Sequence, residues 1–452
     1  MRGSGPPDPL PRPTRSSMPD LTAPPRARTA TFAALAIPDY RRFYIGQGIS
    51  LIGTWLQDAA VGWIVYEVTR SEMALGQVQA ASLLPGLAVG LFAGALADRV
   101  APKALILSTQ IGQMALAFAL AALVAFGVER VSIAPLAVVV ALARVLITFE
   151  MPARQVFLYG IVGRASLMNA IALNNGLFNA SRVIGPALAG LCFETLGGAW
   201  CFGLNGASYL AAIAALLSIR ARERPQAAHA EGDAGNLLGG IAYLGRDRRV
   251  RGLFTLMAVF GVCGMGYSAL MPAYARVVVG TGARGYSVLL AAAGVGATCG
   301  ALVVASLGGL ARKERLIPAG LLVFSAFLAA SSALPKSPGG HGGEVIRLAI
   351  GAFCMMGAGF GGVMFYSSTQ TLIQTSIPDE LRGRIMGIWM IIFSASVPLG
   401  ALWSGGLAAQ VGVEPVLRLA ALLSAVAAAV AIATGFLAQR RDDPVSHLPP
   451  PT

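Results

Sequence analysis

The chain has 452 residues, of which 56% are hydrophobic and only 12% are charged, and its mean hydropathy is +0.68. Soluble domains carry about 25% charged residues, so the composition excludes a soluble globular protein and indicates one that crosses a membrane many times. The net charge of +13 would suit nucleic acid, but the basic residues are concentrated in the tails and in alternate loops. That asymmetry follows the positive-inside rule, which predicts cytoplasmic termini, a lipid bilayer as the surroundings and no nucleic-acid partner.

The chain divides into five parts by composition. Residues 1–36 are rich in Pro and Arg and lack an apolar core, so we predict a disordered cytoplasmic tail. An amino-terminal six-helix bundle is predicted over 37–219 and a charged cytoplasmic linker over 220–251, with a short amphipathic helix in the linker. A carboxy-terminal six-helix bundle is predicted over 252–438, and residues 439–452 form a second cytoplasmic tail.

Twelve apolar segments are each long enough to cross a hydrocarbon core of about 30 Å as a helix. They are Phe43–Val68, Ala74–Ala97, Ala104–Phe126, Ile133–Phe149, Asn169–Phe193, Ala199–Ile219, Leu253–Ala275, Tyr286–Leu307, Leu316–Leu334, Val345–Gln374, Ile385–Ala409 and Val416–Leu437. Two similar sets of six, separated by a basic loop, are the pattern of a transporter built from parallel repeats. We therefore predict an all-α membrane protein with twelve transmembrane helices in two pseudo-symmetric halves.

The first segment contains a carboxylate, Asp58, beside Gln57 in a polar strip at helical spacing. In a low-dielectric site its proton affinity would rise, so we expect it to couple transport to protons. The alternative is that Asp58 only pairs with an arginine. Arg144 lies toward the inner end of the fourth segment, and pairing with Glu150 or with the loop between the second and third segments is an alternative to a role in the cavity.

The fifth segment carries an arginine inside an otherwise apolar run, NNGLFNASRVIGPALAG. An arginine at mid-bilayer costs about 2.5–3.5 kcal/mol, so it normally faces a cavity or a partner. Spacings of four, three and four place Asn175, Asn179, Arg182 and Pro186 along one helix face. We expect this face to line a transport pathway, where Arg182 binds an anionic substrate or poises Asp58; an internal contact that only holds the bundle together is the alternative.

Neither catalysis nor a cofactor is indicated. The three histidines lie outside the predicted spans, whereas a membrane enzyme would need clustered His, Asp or Glu at the interfaces. The five cysteines are scattered and lack metal-ligand spacing. The glycine-rich tenth segment, AGFGGVMFYSSTQ, lacks the Lys-Ser/Thr of a phosphate loop, so ATP is not predicted as a power source. We expect no enzymatic activity, no cofactor and no metal.

The loop between the second and third segments reads GALADRVAPK. It resembles the loop signature of the major facilitator superfamily, although Ala101 and Pro102 depart from the usual Gly-Arg. In that family the acidic and basic residues form a charge latch with the neighbouring half; the alternative is a plain cytoplasmic turn whose charges only set the topology. A second charged stretch, IPDELRGRIMGI, leads into the eleventh segment. The resemblance implies a conformational latch made of Gly94, Asp98, Arg99, Lys103, Asp379, Glu380, Arg382 and Arg384.

The fifth segment resembles the antiporter signature of the same superfamily, which is associated with exporters. The matching residues are Gly176, Gly185, Pro186, Ala189 and Gly190. With GTWLQ at Gly53–Gln57 and PARQ at Pro152–Gln155, the chain resembles the enterobactin-exporter-like branch, which includes siderophore exporters and macrolide efflux proteins.

The resemblance implies a monomeric secondary transporter of the inner (plasma) membrane that exports an amphipathic small molecule, a siderophore or a macrolide-like drug, in exchange for protons. The mechanism it implies is alternating access of the two halves. An importer or lipid transporter of the same fold, and a membrane sensor or scaffold that transports nothing, are the alternatives.

Overall fold

The computed structural model describes residues 32–130, 132–220, 237–307, 310–335, 343–435 and 437. Both predicted tails, apart from residues 32–36, and residues 221–236 of the predicted linker lie outside the described residues. The described helices are α1 Pro38–Thr69, α2 Glu72–Arg99, α3 Pro102–Ala125, α4 Ala134–Thr195, α5 Gly198–Ser218, α6 Leu237–Arg246, α7 Arg248–Val279, α8 Ala283–Ser306, α9 Leu310–Ser332, α10 Glu344–Ser376, α11 Asp379–Val411 and α12 Val413–Thr434. All except α6 are long and apolar enough to cross a membrane, which gives eleven candidate spans in the described part of the chain.

The helix α4 makes two crossings, because it folds back on itself. Its 62 residues would extend about 93 Å as a straight helix at 1.5 Å per residue, far beyond a membrane core. The reversal occurs at Gly163, whose φ of 66° and ψ of 175° are readily adopted only by glycine. Phe157 and Ala170, on either side of it, share one buried cluster, while Leu136 and Cys192, near the two ends, share the other. The first arm, 134–162, and the second arm, 164–195, therefore run antiparallel, so the described part of the chain makes twelve crossings.

The predicted end of the fourth span at Phe149, followed by a polar loop, was wrong. The helix continues through Pro152–Gln155 to the turn at Gly163. Glu150 and Arg154 lie one turn apart and form an ion pair against α3, so Glu150 is buried and Arg154 half-buried in the bundle rather than exposed in a loop. A buried polar cluster and a loop have the same composition, and the sequence alone did not distinguish them.

The helices pack in two groups. In the first half, α1 packs on α4 and α5, and α3 packs on the same two helices. In the second half, α10 packs on α8 and α9, and α9 packs on α12. The halves meet through two long helix pairs, α2 with α11 and the second arm of α4 with α8.

The first helix of the second half, α7, is irregular. Its α-helical start ends at Val259 and is followed by a π turn, a 3-10 turn over Met265–Ser268, and a second π turn that ends at Val279. Non-helical backbone at membrane depth is tolerated where it is buried in protein or lines a cavity. The seventh predicted span is therefore in the right place, but it is not the regular helix that its composition suggested.

Candidate functional site

The two halves touch closely at one end of the bundle. We call the end where α1 and α7 begin the linker end, and the opposite one the far end. At the far end α2 and α11 approach through two glycines: a Cβ on Gly76 would overlap the carbonyl oxygen of Ala401, and a Cβ on Gly405 would lie 2.6 Å from the carbonyl oxygen of Glu72. The backbones of the two helices are therefore in direct contact.

A second contact between the halves joins the second arm of α4 to α8. A Cβ on Gly190 would lie 2.7 Å from the Cβ of Ser287, and one on Gly294 would lie 3.2 Å from the carbonyl oxygen of Arg182. By contrast, a Cβ on Gly160 or Gly383, toward the linker end of each half, would meet nothing within 4 Å. The close contacts named here thus run from the far end to about the middle of the membrane.

Aromatic residues also join the two halves near the far end, where α8 packs against α1. Tyr286 of α8 stacks on Trp63 with ring centroids 5.7 Å apart, and a Cβ on Gly62 would lie 2.8 Å from its hydroxyl oxygen. Both Trp63 and Tyr286 are buried. Because Gly62 contacts Tyr286 of α8, the face of α1 that carries Gly62 faces the second half.

Asp58 lies on that face, one helical turn further from the far end than Gly62. Its Oδ2 forms an ion pair with Nη2 of Arg144 on the first arm of α4 at 2.6 Å, with side chains that are 27% and 30% exposed. Tyr286 of the second half contacts Gly62, one turn along α1 from Asp58. Arg144 therefore pairs with Asp58 and not with Glu150, and the pair faces the second half just inside the far-end contacts.

Arg182 lies over the Trp55 ring of α1, with its guanidinium carbon 5.9 Å from the ring centroid. Phe178, one turn earlier on the same arm, packs edge-on against Trp55 at 5.5 Å. Within the described part of the chain no carboxylate lies within 4 Å of Arg182, so it does not pair with Asp58. From the second half, α8 packs against its backbone, where a Cβ on Gly294 would lie 3.2 Å from the carbonyl oxygen of Arg182.

The polar stripe of the second arm is positioned by the glycines beside it. A Cβ on Gly185 would lie 2.8 Å from the carbonyl oxygen of Ile52 in α1, while Gly190 contacts α8. At 100° per residue, Arg182, Asn179 and Asn175 lie on the face between these two contacts. Asn179 is half-buried and donates to the carbonyl oxygen of Asn175, which is exposed.

The remaining residues of the antiporter-type motif differ in their surroundings. Pro186 and Ala189 are buried. A Cβ on Gly176, however, would meet nothing within 4 Å. Of the three motif glycines, Gly185 and Gly190 therefore permit close helix packing, and Gly176 is not needed for it in this state.

A buried polar network in the first half was missed by the sequence analysis. Glu150 is 1% exposed, and its carboxylate accepts hydrogen bonds from Gln110 at 2.8 Å, Gln113 at 2.6 Å and Thr109 at 3.2 Å, besides its ion pair with Arg154. The three donors on α3 lie within one turn. The sequence did contain one indication of this network, namely three polar residues close together in an otherwise apolar segment.

The network continues toward α1 and α5. The Tyr209 hydroxyl donates to the amide oxygen of Gln113 at 3.1 Å and lies 3.4 Å from the Thr54 hydroxyl. Asn205 donates to the amide oxygen of Gln57 at 2.8 Å, and Gln57 is 6% exposed. We expected Gln57 to line the cavity beside Asp58, and this was wrong. The two residues are adjacent in α1, so their side chains point about 100° apart, and that of Gln57 faces α5.

Two residues of the expected latch make contacts within their own halves. Lys103 donates to the carbonyl oxygen of Ile219 at 2.7 Å, which ties the start of α3 to the end of α5. Arg382 donates to the carbonyl oxygen of Gln374 at 3.2 Å, which ties the start of α11 to the end of α10. These contacts fix the linker-end turns of each half.

The other latch residues stay a prediction. Arg99 is exposed and Arg384 is half-buried at the linker end. Gly94, Asp98, Asp379 and Glu380 belong to helices, but their side-chain surroundings lie outside the described part of the chain.

The fold is that of major facilitator transporters. The chain matches the crystal structure of the nucleoside transporter NupG with a TM-score of 0.70 and 12% identity, covering 89% of this chain and 100% of that one. It also matches a bacterial homologue of the human lysosomal transporter Spinster, in an inward-facing and unoccupied conformation, with a TM-score of 0.68 and 13% identity over 90% and 98% of the chains. These likenesses confirm the predicted all-α membrane fold with two six-helix halves.

Sequence relatives narrow the class. Residues 29–452 match the family described as transmembrane secretion effectors. The enterobactin exporter EntS of Shigella boydii serotype 18 (strain CDC 3083-94 / BS512) is 30% identical over 400 residues, which are 82% of this chain and 86% of that protein. The chain belongs to the transmembrane secretion effector family of the major facilitator superfamily, and it is a multi-pass membrane transporter. The enterobactin-exporter-like resemblance is confirmed.

Proposed function

We propose that the protein exports an amphipathic small molecule across the inner (plasma) membrane in exchange for protons, by alternating access of its two halves. The observation that carries the coupling is the Asp58–Arg144 ion pair, which faces the second half just inside the far-end contacts. The similarity to an enterobactin exporter and the Gly185 and Gly190 contacts of the antiporter-type motif support the direction.

The ion pair gives a physical basis for exchange. While Asp58 is ionised, its charge is balanced by Arg144 and the pair is held together in a medium of low dielectric constant. A proton on Asp58 removes that attraction and frees the Arg144 guanidinium, which changes the charge facing the second half. Proton loading and substrate loading can then favour different states of the same two-state equilibrium.

The first test is proton release from purified protein in detergent when enterobactin or a macrolide is added. We expect the wild type to release protons and Asp58→Asn to release none, because the variant has no carboxylic acid at that position. Asp39→Asn is the matched control, since Asp39 is also on α1 and also ion-paired, with Arg42, but lies exposed at its linker end. Undiminished release by Asp58→Asn contradicts coupling through this residue.

Direction is tested in vesicles. Uptake into inverted vesicles with an acidic lumen supports export, because protons leave the vesicle as the substrate enters, whereas uptake only into right-side-out vesicles supports an importer of the same fold. A protein that binds a compound and transports it in neither preparation is a sensor or scaffold.

A further inference from the structure

The guanidinium of Arg182, on the second arm of α4, is a charge that the proposed proton coupling does not use. Arg182 is half-buried at the junction of α1, α4 and α8, three helices drawn from both halves. A charged side chain at membrane depth is expensive unless a partner or water compensates it. Within the described residues Arg182 has an aromatic ring beneath it and no carboxylate within 4 Å, so the site has positive charge that an anion can neutralise.

The aromatic surroundings restrict what kind of anion fits. Trp55 presents its ring to Arg182, and Phe178 supports that ring from the side. An aryl group can pack against these rings while its acidic oxygen atoms reach the guanidinium, which offers two parallel donors to a carboxylate. An aliphatic anion would use only the charge, and a neutral aryl compound would use only the rings.

The second half packs against the same residue through α8. A Cβ on Gly294 would lie 3.2 Å from the carbonyl oxygen of Arg182. A ligand on Arg182 would therefore lie where the two halves meet, which is required of a site that alternates between two openings.

We propose that Trp55 and Arg182 form a recognition site for an anionic aryl group, and that the transported molecule carries such a group. The inference rests on the proposed function, since it specifies the substrate class of the same transport site. It assigns charge recognition to Arg182 and leaves proton coupling to Asp58, so the two roles are separable by mutation.

The test is equilibrium binding to the full-length protein in detergent, measured by isothermal titration calorimetry with three small probes. Benzoate has both the ring and the charge, benzamide keeps the ring without the charge, and cyclohexanecarboxylate keeps the charge without the aromatic ring. We expect the wild type to bind benzoate best. Equal affinity for benzoate and benzamide, or no binding of any probe, would overturn the proposal.

Two variants locate the specificity. Arg182→Gln should weaken benzoate binding about 10- to 100-fold, the loss of one or two charge-assisted hydrogen bonds, and should leave benzamide binding unchanged. Trp55→Leu should remove the preference for benzoate over cyclohexanecarboxylate. Arg284→Gln is the matched control, because Arg284 is an exposed arginine at the far end of α8. Unchanged benzoate binding by Arg182→Gln contradicts the assignment.

Folding and coupling are controlled separately. Arg182→Lys keeps the charge without the planar fork, so it should bind benzoate more weakly than the wild type and still prefer it to benzamide, which tests the site even if Arg182→Gln unfolds. Asp58→Asn should also prefer benzoate to benzamide, because that preference depends on the charge of Arg182. Loss of proton release with this preference retained supports both assignments, whereas proton release that survives Asp58→Asn removes only the coupling role.

Discussion

Two carboxylates of the first half, Glu150 and Asp58, have opposite surroundings. Glu150 is buried, and Gln110, Gln113 and Arg154 all donate to its carboxylate oxygens. Asp58 has one ion-pair partner and is partly exposed. A proton on Glu150 would therefore place a donor among donors, whereas a proton on Asp58 would remove one ion pair.

We predict that Glu150→Gln destabilises the first half, because its amide NH2 would face the existing donors. Disturbing a buried ion pair of this kind costs about 3–5 kcal/mol. The measurement is the thermal unfolding midpoint in detergent, with Asp58→Asn as the control of similar chemistry at a partly exposed site. A midpoint for Glu150→Gln equal to that of the wild type would show that the network is not structural.

Charged residues were predictable from the sequence where they interrupt an apolar run, and not where they lie near its end. Asp58 and Arg182 stand alone among hydrophobic neighbours, so their cost in a membrane marks them directly. Glu150 and Arg154 follow Phe149 in a stretch that also contains Pro152, which reads as a loop. Their partners on α3 come from about 40 residues earlier in the chain, a pairing that only the folded bundle reveals.

At the scale of helices, the far-end contact depends on two glycines that have no room for a side chain. Gly405→Ala would place a methyl group 2.6 Å from the carbonyl oxygen of Glu72, which the two backbones can relieve only by separating. We predict a shift of the population toward states opened at the far end. Gly203→Ala in α5 is the control, because its Cβ would meet nothing within 4 Å.

The shift is measurable by electron–electron distances between spin labels at Arg130 and Val411, two exposed far-end positions in opposite halves, after the five native cysteines are replaced. We expect a larger fraction of long distances in Gly405→Ala than in the wild type or in Gly203→Ala. An identical distance distribution in all three proteins would contradict a sealing role for this contact.

The positions of the elements followed from hydropathy, and their internal irregularities did not. The composition of α7 is as apolar as that of its neighbours, yet its hydrogen bonding changes from α to π to 3-10. Likewise the turn of α4 occurs at Gly163, which the sequence does not distinguish from other glycines. Apolar content determines that a segment enters the membrane, whereas packing against other helices determines where its backbone bends.

At the scale of the whole molecule, the close contacts at the far end define which side the site faces. Because the halves touch at the far end, an opening to Asp58 and Arg182 would have to lie at the linker end. This would be the state in which an exporter loads its substrate if the linker end is cytoplasmic. The distribution of Lys and Arg predicts that it is, because α1 begins and α12 ends there and the basic tails adjoin these two helix ends in the sequence.

Orientation is therefore the prediction on which the direction of transport depends. Alkaline phosphatase, which is active only outside the cytoplasm, should be inactive when fused after Thr452 and active when fused after Gly197, in the far-end turn between α4 and α5. Green fluorescent protein at the same two sites is the control, and it should give the reverse pattern. The opposite result at both sites would mean that the linker end faces the outside of the cell. The same architecture would then be that of an importer.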